Sequence, residues 1–253
     1  MKNRLVKSVM IATAIWGTVG CVEEYKPDQI EATDTKVQLP KNVQAALDAG
    51  LSIIDQDLTD TLSHMGNEER LAYDVYNAFY EKYNTKQFIN IANNGEYLHI
   101  TAVQALVQKY KLNDKKEDFT NVVNPLGYMK TPIEDMEAGT YDVPEIKALY
   151  DELIAEGDVN EIEALKVGCK IEVIDVDDLD TYIQLANSQD APDIVTIFKF
   201  LRKGSYNHYW AFDEGLKKKG VQGGCCFEDG GVDYCKTIEE YPDTRGEEGG
   251  HTH

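Results

Sequence analysis

Asn94-Gly95-Glu96-Tyr97-Leu98-His99 lies inside a strongly helical run, and its reading decides how the rest of the chain is understood. Residues i and i+3 share one face of an α-helix, so Glu96 and His99 set a carboxylate beside an imidazole. One such pair is weak evidence. Three further helical runs each turn an acid or an imidazole into an otherwise apolar stripe: Glu69, then Glu172 with Asp175, then His208. The pattern predicts an all-α fold, four helices bundled around a metal site.

The run before it carries Leu58, Leu62, Met65, Glu69, Ala72, Tyr76, Phe79 and Tyr83 at steps of three and four, with Asp55 or Asp57 as the cap. Glu69 interrupts this stripe, whereas Glu68, roughly 100° away around the helix, is expected in solvent. The second helix is expected over Gln87 to Tyr110, and burying its Glu96 and His99 without partners would be costly, so something must compensate them. Helix three is expected over Val159 to Ala186, with Glu172 and Asp175 three apart on the inward face. Helix four, Asp193 to about Lys219, places His208 mid-stripe.

Between the two pairs, Asn124-Pro125-Leu126-Gly127, Thr131-Pro132 and Glu137-Ala138-Gly139 signal turns, and Pro144 to Ala155 reads as a short helix with Pro in its first turn. A long crossover carrying a short helix lets the third helix start back at the far end of a bundle. No internal sequence repeat, glycine-rich phosphate loop or Gly-x-Ser-x-Gly element is found.

The N-terminus is of another kind. Lys2, Arg4 and Lys7 precede an apolar run from Val9 to Val19, short for a membrane span, which ends at small residues. Residues 1–20 therefore read as an export signal. Thr18-Val19-Gly20-Cys21 resembles a bacterial lipoprotein box, with Thr18 where Leu is usual, and implies lipidation of Cys21. The expected location is extracytoplasmic and membrane-anchored through the lipid; a secreted or periplasmic protein is the alternative. Residues 21–49, polar and punctuated by Pro27 and Pro40, read as a tether.

Loss of residues 1–20 would leave 22 basic against 45 acidic residues, a net charge of −23. That balance argues against nucleic acid, whose phosphates need Lys and Arg, and its commonest cause is a solvated acidic surface. Four cysteines remain beyond Cys21: Cys169, Cys225, Cys226 and Cys235. They allow three pairings. Adjacent Cys225 and Cys226 are poor partners for each other, so one is expected to bridge to Cys235 and the other to Cys169. Residues 221–253 form a Cys- and Gly-rich acidic tail, in which His251 and His253, like His64 on the first helix, are expected to be exposed.

Acid or imidazole near the middle of four helices fits a binuclear iron or manganese carboxylate centre. In that reading Glu96 and Glu172 are bridging candidates, Glu69 and Asp175 terminal carboxylates, and His99 and His208 the imidazoles. A lone histidine on an apolar stripe is more often a hydrogen-bonded core residue, but recurrence on separate helices favours metal. Tyr73, Tyr76 and Tyr80 could relay electrons, although aromatic residues on bundle helices usually pack.

The chain also resembles a known family. Leu62-Ser-His-Met-Gly-Asn-Glu-Glu-Arg-Leu-Ala-Tyr-Asp-Val-Tyr76, Glu96-x-x-His99, Asn124-Pro125, Leu149-Tyr-Asp-Glu-Leu153, Ala164-Leu-Lys-Val-Gly168 through Ile171-Glu172, and Arg202-x-Gly204-Ser-x-Asn-His208 are similar to the bacterial domain family DUF2202, within the ferritin-like superfamily. The resemblance covers about residues 50–220 and implies a ferritin-like four-helix bundle. Glu69 with Ala72 and Tyr76 resembles the first helix of rubrerythrin-type proteins, which favours Glu69 over Glu68 as a ligand. Where the superfamily has a second Glu-x-x-His, this chain has Ser205-x-x-His208, and Asp175 is the candidate to supply the missing carboxylate.

The functional expectation is an exported di-metal protein that oxidises Fe(II) or reduces oxygen or peroxide. The alternative is a non-catalytic, lipid-tethered helical binding module with a vestigial metal site. A storage cage would have to accommodate both the lipid tether and the Cys-rich tail.

Overall fold

A computed structural model describes residues 38–110, 132–133, 136–141 and 143–246. The export signal, Cys21, the first part of the tether, Asn124-Pro125 and the two C-terminal histidines lie outside the described residues. Within them the chain is mostly helical. The elements are α1 (Lys41–Asp48), α2 (Gln56–Tyr83), α3 (Lys86–Ile91), a π-helical turn (Ala92–Glu96), α4 (Tyr97–Lys109), α5 (Pro144–Gly157), α6 (Glu161–Ser188) and α7 (Pro192–Lys218).

Local chemistry explains the boundaries. The Asp55 side chain accepts the Leu58 N–H at 3.0 Å and starts α2, which stops at Asn84 in the left-handed region. Asn160 caps α6 by accepting from the Ile162 and Glu163 amides. Proline occupies the first turn of both α5 and α7.

Two elements depart from the expectation. Residues 41–48, read as the end of a tether, form helix α1, which buries Val43 and Ala46 against α4 and α7. The second helix, read as one continuous α-helix, is interrupted by the π turn directly before the Glu-x-x-His pair. A π turn winds in an extra residue and re-phases the helix faces on either side of it, and such turns are frequent at functional sites.

Helices α2, α3–α4, α6 and α7 contribute to two apolar clusters separated along their length. One holds Tyr76, Phe79, Phe88, Leu165, Phe212 and Leu216. The other holds Leu58, Leu62, Leu106, Ile183, Phe198 and Leu201. In sequence the polar positions Glu69, Glu96, His99, Ser205 and His208 fall between the residues that their helices give to the two clusters, while Glu172 and Asp175 lie at the end of the α6 stretch that feeds the first cluster, just before Leu179 of the second. Apolar packing on both sides supplies the stabilisation that allows a buried charged layer between them.

Other buried charges hold the scaffold. Arg70 pairs with Asp74 at 2.7 Å and donates to the Ile133 and Met136 carbonyls, while Asp74 accepts from the Gly139 amide and the Tyr141 hydroxyl. The crossover is thereby tied to α2. Disulfides Cys169–Cys225 and Cys226–Cys235 pin the tail, in agreement with the expected pattern. The tail carries a small hairpin, β1 (Glu228–Asp229) with β2 (Val232–Asp233). It docks on α7 where Tyr209 donates to the Tyr234 carbonyl and Trp210 to the Tyr241 carbonyl.

Candidate metal centre

Each of the four long helical segments delivers at least one ionisable side chain to the layer between the apolar clusters. Glu69 comes from α2, Glu96 and His99 from the π turn and α4, Glu172 and Asp175 from α6, and His208 from α7. The six residues are 9% exposed or less, and the five other than His208 no more than 4%. Spacing along the stripes identified all six as inward.

Glu96 lies at the centre. Its Oε2 is 3.3 Å from His99 Nδ1, and its Oε1 is 3.0 Å from His208 Nδ1. One carboxylate therefore addresses two imidazoles, one through each oxygen. The His99 Nδ1 also meets Glu69 Oε2 at 2.9 Å, and His208 Nδ1 lies 3.4 Å from Glu172 Oε2. Two similar groups result, Glu69 with His99 and Glu172 with His208, with Glu96 between them. The ring centroids are 5.3 Å apart.

Glu172, expected as a second bridge, turns one oxygen to His208 and accepts the Tyr76 hydroxyl on the other. Asp175 accepts a hydrogen bond from Ser205 of α7, so the serine and the aspartate are adjacent.

The electrostatics of the layer are those of crowded, buried acids. Burial pushes the carboxyl of Glu69 well above its ordinary range, with the charges of Asp175 and Glu96 adding to it. Burial likewise raises Glu172 against the pull of His208, and raises Asp175 to about 7 despite the Ser205 hydrogen bond. Burial opposes the charged form of His208, yet Glu96 and Glu172 outweigh it and hold the imidazole well above its usual value. Glu96 stays below the usual carboxylate range because His208 and His99 together overcome its burial. Glu69 Oε1, Glu96 Oε1, Asp175 Oδ1 and His208 Nδ1 lack a hydrogen bond of good geometry. Buried acids raised by burial and mutual repulsion, with carboxylate oxygens and the His208 Nδ1 lacking such hydrogen bonds, are side chains that could ligate a hard or borderline divalent metal. Glu96, His99 and His208 alone offer ligand atoms all within 4.8 Å of one another.

Two glycines allow the rings to sit there. A Cβ on Gly95 would lie 2.2 Å from His208 Nε2, and a Cβ on Gly204 would lie 2.2 Å from His99 Nε2. Each glycine directly precedes the acid or serine of one motif and accommodates the imidazole of the other. The pattern Gly-x-Tyr-x-His occurs twice, at 95–99 and 204–208. It is too short to stand out as a repeat, and only the ring contacts give it meaning. A cleft of about 670 Å³, bordered by Asn94, Gly95, Lys199 and Gly204, reaches both His99 and His208.

Two features escaped the stripe reading. Glu68, expected in solvent, is 3% exposed. Its signal was its place four residues after His64. Tyr76, counted among packing aromatics, donates to Glu172.

The comparisons agree with this picture at the level of family. Residues 58–225 match the family described as "Uncharacterized protein domain (DUF2202)". The chain is 35% identical over 167 residues to the uncharacterized protein MJ0754 of Methanocaldococcus jannaschii, spanning 66% of this chain and 79% of that protein. The crystal structure of hypothetical protein MJ0754 superposes with a TM-score of 0.55 at 33% identity, covering 68% of this chain and 86% of that one. The matched segment includes all six candidate ligands, and the chain belongs to the DUF2202 family.

Proposed function

We propose that this chain is an exported protein with a ferritin-like four-helix bundle that holds a binuclear iron or manganese centre and oxidises Fe(II) or reduces oxygen or peroxide. The observation that carries the reading is Glu96, whose two oxygens face the Nδ1 atoms of two imidazoles from different helices. Glu69 with His99 would hold one ion, Glu172 with His208 the other, and Glu96 would bridge them. Asp175 would complete the charge balance through Ser205. Bound iron or manganese supplies Lewis acidity and one-electron redox chemistry.

The chain's own residues do the rest. Tyr76 orients Glu172 and offers it a proton. The two apolar clusters restrict water around the layer. Substrate would approach along the cleft that borders Gly95 and Gly204. The two disulfides, rare in reducing compartments, support export, and the sequence at Cys21 supports a lipid anchor. Among the described residues no helix is long and apolar enough to cross a membrane.

Inward acids too far apart to share an ion would favour the non-catalytic reading; contacts of 2.9 to 3.4 Å between acids and imidazoles support the metal reading. Metal analysis after anaerobic loading with Fe(II) or Mn(II) tests it. Two ions per chain are expected in the central layer, and these are expected to be lost on Glu96→Ala. Neither metal retained, and no change on that substitution, would overturn the proposal.

A further inference from the structure

Outside the central layer, a second group of ligating side chains lies across α2 and α6. The His64 Nε2 is 3.4 Å from Asp178 Oδ2 and 4.0 Å from Glu68 Oε2. His64 and Glu68 sit one helical turn apart on α2, and Asp178 faces them from α6. Ligand atoms of the three lie within 4.8 Å of one another. Their exposure is graded: 38% for the Asp178 side chain, 28% for His64 and 4% for Glu68. Glu68 Oε2 is buried without a hydrogen-bond partner. A buried carboxylate oxygen aimed at an imidazole and a second carboxylate is costly unless something positive satisfies it.

The place of this group relative to the inner layer is regular. Glu68 neighbours Glu69, and on α6 Asp178, Asp175 and Glu172 follow at successive steps of three, so they share one helix face. Acidic side chains therefore run from the solvent-facing group to the inner layer.

We infer that His64, Glu68 and Asp178 form a separate divalent-cation site, open to solvent, which passes ions inward to the central layer. Two carboxylates and one imidazole suit Fe(II), Mn(II), Co(II) or Zn(II), and leave positions for water. The outer site stands on its own geometry; its role in delivery rests on the function proposed above.

The test uses the metal-free full chain dialysed against Co(II), with cobalt counted per chain and located in crystals by anomalous scattering. Wild type is expected to bind one more ion than His64→Ala/Asp178→Asn, with a cobalt peak between His64 and Asp178. The Glu96→Ala protein is expected to keep that outer ion while losing inner ones. Equal counts in wild type and the double variant, or no peak at His64, would overturn the outer site. Should the double variant fold poorly, the peak in wild type and its loss in His64→Gln decide the same point. An outer ion bound with nothing in the inner layer would overturn the proposed function and leave this site standing. Delivery is read from the initial rate of Fe(II) oxidation, expected to fall about tenfold in the double variant while the final amount oxidised is unchanged. An unchanged rate would overturn delivery.

Discussion

The half of the molecule built from α2 with α3–α4 and the half built from α6 with α7 present the same five-residue pattern to the centre, but differ at its second position. In one, Gly95 is followed by Glu96; in the other, Gly204 is followed by Ser205. The glycines behave alike, each lying against the imidazole from the opposite half. The backbones differ, because a π turn precedes His99 whereas α7 is helical throughout. The acids differ most. Glu96 reaches both imidazoles, while on the other side Ser205 donates to Asp175. Both halves bring backbone close to a ring, and one supplies the carboxylate that faces both rings.

The largest expected effect is an asymmetry between the second positions. Glu96→Ala should weaken Mn(II) binding by more than the roughly 10–100-fold typical of groups that only orient a ligand, and Ser205→Ala by about tenfold. Titration of the metal-free proteins with Mn(II) measures both, and equal losses would remove the distinction between the halves.

Gly95→Ala and Gly204→Ala should each destabilise the metal-free protein by about 1–3 kcal/mol, because the new methyl collides with a ring enclosed by its neighbours. Urea denaturation reads this. Matching values would show that the glycines are equivalent despite the π turn; tolerance at one position would show that one half can shift its helix.

Proton binding gives a third comparison. Asp175 titrates at about 7 in the folded metal-free chain against an ordinary value of 3.8. The native state then holds a proton that the unfolded chain releases, so stability falls as pH rises from about 4 through about 7. Glu69 and Glu172, also raised, act in the same direction. His208, raised above 6.5, contributes stability that is complete below that pH and lost on passing its folded value. Glu96, lowered from 4.5, opposes this through a contribution lost in acid. The melting temperature of the metal-free protein should therefore fall between about pH 5 and 8, and saturating Mn(II) should flatten the fall. A profile rising over that interval would contradict the assigned burial.

The smallest change belongs to Tyr76→Phe, which removes the hydroxyl donated to Glu172 and has no counterpart at Glu69 among the described contacts. Loss of about 0.5–1.5 kcal/mol of stability is expected. Calorimetry of the metal-free pair checks it.

Much of this arrangement was legible along the chain. Caps and prolines marked where α2, α5, α6 and α7 begin, and three-and-four spacing placed Glu69, Glu96, His99, Glu172, Asp175 and His208 on the inward stripes. Glu68 shows where such reasoning stops. A helix stripe gives an angle around one axis, and Glu68 lies off the main stripe, yet α6 approaches from that side and covers it. The π turn was hidden because Ala92-Asn93-Asn94-Gly95 is compatible with an ordinary helix. The cysteines allowed a bridge to Cys235 from either member of the pair; the path of the tail over α7 selected Cys226.

The sequence by itself determined an all-α chain, the faces of its helices and the acids and imidazoles that must be compensated, because these follow from periodicity and from the cost of burying charge. Tertiary structure alone decided which oxygen meets which ring, that Gly95 and Gly204 each receive the other half's histidine, and that His64, Glu68 and Asp178 converge. Those are contacts between helices, set by crossing and register over long sequence separations, and no local spacing encodes them.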